Sequence, residues 1–263
     1  MRKVYRLERD MTVIPSVSFA TFCYSQDAHR LHAPGQLQKQ VESNGYDFDE
    51  IIVIHQLCCP DDYKGEQLIP FQDFPRDHIR MFTIEDLDSI IFAFDINIDK
   101  PQYVSDTDRR HTWKNHVANH LAAVMLSKSD YIVFADNDCR MVRQPNSWVR
   151  RGINILKANP SVFMVSPNDG EGERFTRRIS QQMFMARTEE FRQADFNQPG
   201  WDGNVNVSGG PFPEYWALLE GRIELHCRVT NQHRYVLGPE YRYWHHNRIR
   251  PDGMLETDLE KYQ

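Results

Sequence analysis

The sequence has few cysteines, and they show no spacing typical of a metal site or a disulfide framework. It contains five, an odd number, and two of them, Cys58 and Cys59, are adjacent. No Cys-x-x-Cys pair or Cys/His set of the zinc-binding type is present. Reduced thiols, which are usual in the cytosol, are the simplest interpretation. We therefore expect a cytoplasmic protein.

Long apolar runs are also missing from the sequence. Residues 1–10 are too polar to form the apolar core of a signal peptide. No stretch approaches the ~20 apolar residues that a membrane-spanning helix needs. The sequence predicts a soluble protein, and any contact with a membrane is expected to be peripheral.

Positive charge is not in excess either. Lysine and arginine number 31 against 37 aspartates and glutamates, which gives a formal net charge of −6. Binding to nucleic acid or to an anionic membrane generally relies on a basic surface, so neither is expected as a partner. The arginines nevertheless gather in residues 140–151, 174–178 and 242–250. Such local groups suit a compact anion, for example a diphosphate, better than a polymer.

What is present is the composition of an ordinary globular protein. The 263 residues are 40% hydrophobic and 26% charged, and they are enough to bury a large core. No internal repeat, low-complexity block or long linker divides them. We expect a single domain over residues 1–263 with two unequal parts, residues 1–140 and 141–263. The oligomeric state is left open.

The first part of the chain alternates predicted strands and helices. A strand over residues 13–24, a helix over 34–43 and a strand over 50–56 form a βαβ unit, whose strands pair in parallel. A helix over residues 109–127 leads into the apolar strand that ends at Asp136. Further strands are predicted over residues 79–84, 161–167, 182–186, 225–229, 235–237 and 241–245, with a loop over 168–176 and a helix from 214 to about 221.

Two carboxylates follow that apolar strand directly. Asp136 and Asp138 are separated by Asn137, and side chains two residues apart on a strand project to the same side. Open α/β sheets place ligands at the carboxyl ends of their strands. Two hard oxygen ligands suit Mg²⁺ or Mn²⁺, which take further ligands from phosphates. A solvated Asp-Asn-Asp turn is the alternative interpretation.

This pattern resembles the GT-A fold of nucleotide-sugar-dependent glycosyltransferases, of the family 2-like type that contains a DxD motif. Four features carry the resemblance: the early βαβ unit, the acidic motif, a Ser-Gly-Gly loop ahead of Glu214, and a late histidine. The resemblance implies an open, twisted, mostly parallel sheet flanked by helices, with a smaller lobe for the acceptor. Residues 1–140 would then bind the nucleotide sugar, and residues 141–263 would bind the acceptor and supply the catalytic groups.

The resemblance also implies roles for particular residues. Asp136, Asp138 and one of the two late histidines, with His245 preferred over His246, would hold Mn²⁺ or Mg²⁺. Glu214 would act as the general base, with Asp202 as the competing carboxylate. The nucleotide, the diphosphate and the donor sugar would be bound by residues drawn from both halves: Thr21, Phe22, Tyr24, His55, Arg110, Asp136, Asn137, Gly209, Gly210, Arg248 and Arg250. Phe22 could equally be a core residue, and residues 168–178 could form a lid.

The expected function is therefore metal-dependent transfer of a hexose-type sugar from a nucleotide-diphosphate sugar to a hydroxyl group of a glycan or another acceptor. Inversion at the sugar carbon is favoured, in glycan or polysaccharide assembly. Three other classes are alternatives. A haloacid-dehalogenase-like phosphohydrolase also has Asp-x-Asp after a strand, but Arg140 stands where those enzymes usually have Thr or Val. A nucleotidyltransferase would have glycines in residues 25–30, and a non-catalytic sugar-binding protein would not need a metal site.

Overall fold

The computed structural model describes residues 14–24, 35–56, 79–84, 112–137, 139–168, 173–176, 182–194 and 219–245. Within these ranges the chain forms strands β1 (Val17–Tyr24), β2 (Glu50–Gln56), β3 (Ile79–Ile84), β4 (Tyr131–Asp136), β5 (Cys139–Arg143), β6 (Val162–Ser166), β7 (Arg174–Thr176), β8 (Met183–Arg187), β9 (His233–Val236) and β10 (Arg242–His245). The helices of the same ranges are α1 (Gln36–Glu42), α2 (Thr112–Leu126), α3 (Trp148–Ala158), α4 (Thr188–Gln193) and α5 (Leu219–Thr230).

Eight of these strands form one sheet in the order β3-β2-β1-β4-β8-β6-β9-β7. Strands β3, β2, β1 and β4 run parallel to one another. Strand β8 runs antiparallel to β4 and to β6, so β6 again points the same way as β4, and β9 is parallel to β6. The predicted α/β class with an open, mainly parallel sheet flanked by helices is confirmed.

The order of the strands creates a topological switch point between β1 and β4. From β1 the chain moves outward to β2 and β3, and it then returns to pair β4 with the opposite side of β1. Connections on the two sides of such a pair leave in opposite directions, which opens a crevice at the carboxyl ends of the strands. The carboxyl ends of β1 and β4 therefore lie where an open α/β sheet binds ligands.

Apolar side chains cover both faces of the sheet, as expected for parallel strands buried between helices. In β1, Val17 and Phe19 belong to a core shared with α1 and α3. Ala20 and Phe22 belong to a second core, which includes buried residues of α2, α4 and α5. This alternation follows from the period of two along a strand. Helices therefore pack on each face, and the strand ends remain available for a site.

A second, two-stranded sheet lies next to the end of β4. Strand β5 begins at Cys139, three positions after the last residue of β4, and it pairs antiparallel with β10. The register places His245 opposite Cys139 and Trp244 opposite Arg140. A segment near the end of the chain is thus brought back beside the segment that carries the acidic motif.

Most of the predicted elements are confirmed, and one is wrong. Residues 225–229 were predicted to form a strand, but they belong to helix α5, which continues through Thr230 instead of ending near residue 221. Ile223 and Cys227, four residues apart, are both fully buried. Glu224 and Arg228 form an ion pair at the same spacing. A period near 3.6 therefore describes this segment better than a period of two.

The predicted loop over residues 168–176 contains a short strand, β7, which pairs with β9. No helix in the described part of the chain is long and apolar enough to cross a membrane.

Candidate functional site

Asp136 ends β4 at the switch point of the sheet. The five residues before it in β4 are buried, whereas Asp136 is half-buried. Its backbone pairs with Phe22 of β1 on one side, and its amide donates a hydrogen bond to the carbonyl oxygen of Gln182 at 2.9 Å on the other. The backbone of this carboxylate is therefore fixed by both neighbouring strands.

The late histidine predicted from the resemblance returns to the same region of the fold. His245 is opposite Cys139, the residue that follows Asp138. Opposed residues in antiparallel strands have Cα atoms about 4.5–5.5 Å apart. The described backbone thus brings His245 next to the acidic motif, although the two are distant in sequence. Carboxylate oxygens suit Mn²⁺ or Mg²⁺ with phosphate co-ligands, and an added imidazole nitrogen would favour Mn²⁺, because Mg²⁺ prefers oxygen ligands.

Asp138 and His246 lie outside the described residues, so the complete predicted ligand set is not described. Within the ranges given above, no group of three or more His, Cys, Asp or Glu side chains converges. The metal site therefore stays a prediction, supported by the placement of Asp136 and of the His245 backbone.

Asn137 is the residue between the two carboxylates, and its side chain is 9% exposed. Its Nδ2 atom is buried without a hydrogen-bond partner. Buried amide groups are nearly always hydrogen-bonded, because an unmade bond costs about 1–3 kcal/mol. The unpaired Nδ2 donor of Asn137 is therefore consistent with a site in which a bound ligand supplies the missing hydrogen-bond acceptor.

The predicted nucleotide-binding residues of β1 and β2 are at the carboxyl edge of the sheet. Thr21 is fully buried on the face that packs against α1 and α3, and its hydroxyl has no partner. Tyr24 is the last residue of β1, and His55, opposite Cys23, is the last but one of β2. Both backbones therefore lie at the carboxyl ends of their strands, the side of the sheet on which the predicted base- or ribose-binding role depends.

Phe22 takes the alternative position that the sequence left open. It is 2% exposed and packs in the second core. Its ring centroid lies 4.3 Å from that of His120 and 6.2 Å from that of Phe134. Because side chains alternate along β1, Phe22 faces away from Thr21 and into this aromatic core. The surroundings of Phe22 are those of a structural residue and not of a base-stacking platform.

The remaining predicted site residues lie outside the described ranges: Arg110, Asp202, Gly209, Gly210, Glu214, Arg248 and Arg250. Their roles stay predictions. The same holds for most of the lid proposed over residues 168–178, of which the structure describes Asn168 and residues 173–176.

Sequence reasoning missed the contribution of α1 to this site. Gln36 of α1, and Ser43, which directly follows the helix, contact the segment that follows Asp138. Gln36 Oε1 accepts a hydrogen bond from the guanidinium of Arg140, and Ser43 Oγ accepts one from the amide of Met141 at 3.2 Å. The sequence does contain a signal for this contribution. The polar residues at positions 36, 40, 43 and 44 have helical spacing, and they occupy a face on which apolar residues would be expected.

Comparison with known proteins gives structural similarities only. No family model matches the chain, and no curated protein matches it in sequence. An active-site mutant of LgtC is 11% identical with a TM-score of 0.38, and the match covers 68% of this chain and 60% of that one. The galactosyltransferase LgtC in complex with donor and acceptor sugar analogues is 10% identical with a TM-score of 0.37, over the same shares.

The chain thus matches 60% of the length of these two structures. TM-scores this low assign neither a fold family nor an activity to the chain. The assignment of a function has to come from its own residues.

Proposed function

We propose that the protein is a metal-dependent glycosyltransferase, which moves a sugar from a nucleotide-diphosphate sugar to a hydroxyl group of a glycan or a similar acceptor. The observation that carries this proposal is the position of Asp136. It ends a central parallel strand at the switch point, and the pairing of β5 with β10 brings the His245 backbone to the same turn. The described backbone thus brings two predicted ligand positions from distant parts of the chain to the edge of the sheet where α/β proteins bind nucleotides, which supports the proposal.

The metal-binding group of the proposed site consists of Asp136, Asp138 and either His245 or His246. A bound Mn²⁺ or Mg²⁺ supplies positive charge that stabilises the departing diphosphate. The carboxylates and the imidazole hold that charge in a fixed place. Asn137, with its unpaired buried Nδ2, would donate a hydrogen bond to an oxygen of the ligand.

The other residues of the proposed mechanism act on the acceptor and on the phosphates. Glu214 takes the proton of the acceptor hydroxyl as general base, with Asp202 as the competing carboxylate. A single displacement with inversion follows if that carboxylate lies beside the hydroxyl. Gly209 and Gly210 allow the backbone to approach the sugar closely. Arg110, Arg248 and Arg250 bind phosphate oxygens; these basic groups lie at the start of α2 and after β10 in sequence.

A thermal-shift panel tests the proposal. The wild-type protein is mixed with UDP, GDP or dTDP species, with and without Mn²⁺. One nucleotide should raise the unfolding temperature in the presence of Mn²⁺, and the shift should disappear in Asp138→Ala. Asp47→Ala is the matched control, because Asp47 is an exposed carboxylate in the loop before β2, at the amino ends of the strands, and should leave the shift unchanged.

Absence of stabilisation by every nucleotide with Mn²⁺ would contradict the proposal. Hydrolysis of a generic aryl phosphate that is lost in Asp136→Asn would instead support the phosphohydrolase alternative. Binding of a glycan without any binding of a nucleotide would support a sugar-binding protein that has no catalytic role.

A further inference from the structure

Helix α1 and the two residues that follow it carry polar side chains on one face, most of them buried. Gln36, Gln40, Ser43 and Asn44 follow the spacing i, i+4, i+7, i+8, and Gln40 and Asn44 are fully buried. Leu37 and Val41 supply the apolar contacts of the helix with the core. Burial of an amide is unfavourable unless its hydrogen bonds are made, so a buried polar face requires partners. For Gln36, Gln40 and Ser43 these partners lie at the end of β4 and in β5.

Gln40 bridges the two ends of the acidic turn. Its Nε2 group donates one hydrogen bond to the carbonyl oxygen of Asp136 at 2.5 Å and one to the carbonyl oxygen of Cys139 at 3.2 Å. These carbonyls flank Asn137 and Asp138. A glutamine amide nitrogen has two hydrogens, and both are used here. One buried side chain thus connects the last residue of β4 to the first residue of β5.

The orientation of the Gln40 amide is determined by these contacts. The Oε1 atom is buried without a hydrogen-bond partner, so only the donor side of the amide is used. With the amide reversed, Oε1 would face two carbonyl oxygens, and all three atoms are acceptors. The side chain therefore acts as a double donor at a fixed distance from the turn.

Asn44, the last member of this polar face, has different targets. Asn44 Oδ1 accepts a hydrogen bond from Trp148 Nε1 at 2.8 Å, and the Asn44 carbonyl accepts one from Ser147 Oγ at 3.3 Å. Asn44 thus attaches α1 to the start of α3 and does not contact the acidic turn. This difference separates a general role in stability from a role in the site.

We propose that Gln40 is a positioning residue, which fixes the geometry of the metal-binding turn by holding the backbone at both of its ends. This inference rests on the proposed function, because the turn matters in this way only if Asp136 and Asp138 bind a metal together. Metal coordination tolerates errors of only about 0.2 Å in ligand distance. A side chain that hydrogen-bonds the backbone from outside the coordination sphere can keep two carboxylates within that tolerance. Gln40 itself touches neither metal nor substrate in this proposal.

The decisive variant is Gln40→Met, which keeps the approximate volume of the side chain and removes the donor. We expect the affinity for Mn²⁺, measured by isothermal titration in the presence of the stabilising nucleotide, to fall about 10–100-fold, as for other groups that orient metal ligands. Gln40→Glu should bind Mn²⁺ more weakly still, because an ionised carboxylate would face the same two carbonyl oxygens.

Two control variants come from the same helix region. Gln38 donates only to Glu42 in an exposed pair, so Gln38→Met should bind Mn²⁺ like the wild type. Asn44→Ala removes the hydrogen bonds of this side chain with Trp148 and with the carbonyl oxygens of Gln40 and Val41, and none of them involves the turn itself. It should lower the unfolding temperature while the affinity for Mn²⁺ is retained. If Gln40→Met does not fold, Gln40→Asn takes its place, because an amide one methylene shorter does not span both carbonyls.

The outcomes separate the two proposals. Equal Mn²⁺ affinities of wild type and the Gln40 variant overturn the role of Gln40 and leave the proposed function standing. Equal losses of Mn²⁺ affinity in Asn44→Ala and in the Gln40 variant also overturn the positioning role of Gln40, because the loss then follows from lower stability in general. If the wild type binds neither Mn²⁺ nor a nucleotide, the proposed function itself fails, and the inference fails with it.

Discussion

Glu214 is the proposed general base, and its role in proton transfer can be separated from binding of the nucleotide. Glu214→Gln keeps the shape of the side chain and removes its ability to accept a proton. We expect sugar transfer to be lost while the affinity for the nucleotide stays close to that of the wild type. Activity assays and titration of the nucleotide on the same preparation measure the two quantities. Normal transfer by this variant, together with loss in Asp202→Asn, would move the base to Asp202.

A second side chain predicts how stability depends on alkaline pH. Burial and the Glu173 carboxylate, which accepts a hydrogen bond from the Tyr235 hydroxyl, raise the pKa of Tyr235 from 10.0 to about 12. The folded state thus favours the protonated phenol. This preference stabilises the folded protein fully when the pH is below the pKa of Tyr235 in the unfolded chain. The stabilisation is lost as the pH rises through the pKa of Tyr235 in the folded protein.

We therefore expect Tyr235 to contribute a loss of stability between pH 10.0 and about 12. Chemical denaturation across this range measures it, with Tyr235→Phe as the comparison. The variant should lose less stability over the same interval, because it has no phenol to ionise. If the free energy of unfolding fell equally with pH in the wild type and in the variant, the environment of Tyr235 would not favour the protonated phenol.

Strand β4 connects the core to the site, and Phe134 is its central aromatic residue. The Phe134 side chain is fully buried, and its ring lies 4.7 Å from that of Phe184 and 5.3 Å from that of Phe191, measured between centroids. Phe134→Ala should lower the free energy of unfolding by about 3–5 kcal/mol, because it leaves a cavity among these rings. Denaturant titration measures the change. Val142→Ala, on the exposed side of β5, should change the free energy of unfolding by no more than about 0.5 kcal/mol.

Elements with a strong local pattern were predictable, and those defined by tertiary contacts were not. The first βαβ unit and β4 were predicted because their apolar residues have a clear period and their ends carry Asn-Gly or acidic residues. Residues 225–229 were misassigned because five residues are too few to separate a buried strand from a helix. Helix α3 was missed although its buried residues, among them Val149, Ile153 and Leu156, have helical spacing.

The same division applies to the site. Asp136 was predictable because a strand followed by carboxylates is a local pattern. The approach of His245 to Cys139 came from family resemblance, since the register of β5 with β10 is a tertiary property. The contact of Gln40 with the turn could not be predicted, because it depends on where α1 packs against the chain between β4 and β5.

The whole chain should unfold as one unit, because its two halves share a sheet and both cores. Strand β4 belongs to residues 1–140 and pairs with β8 from residues 141–263. Each core contains side chains from both halves. We expect one calorimetric transition whose van't Hoff and calorimetric enthalpies agree. Two resolved transitions would contradict the single domain, as would a fragment of residues 1–140 that folds alone.

The β4–β8 pairing also limits how the molecule can respond to a substrate. Backbone hydrogen bonds connect the two halves along five consecutive residue pairs, from Tyr131 with Arg187 to Ala135 with Met183. Rotation of one half against the other would break this ladder, which makes domain closure by a hinge unfavourable. For the proposed glycosyltransferase, the described sheet would therefore act as a rigid framework that keeps its shape when a substrate binds.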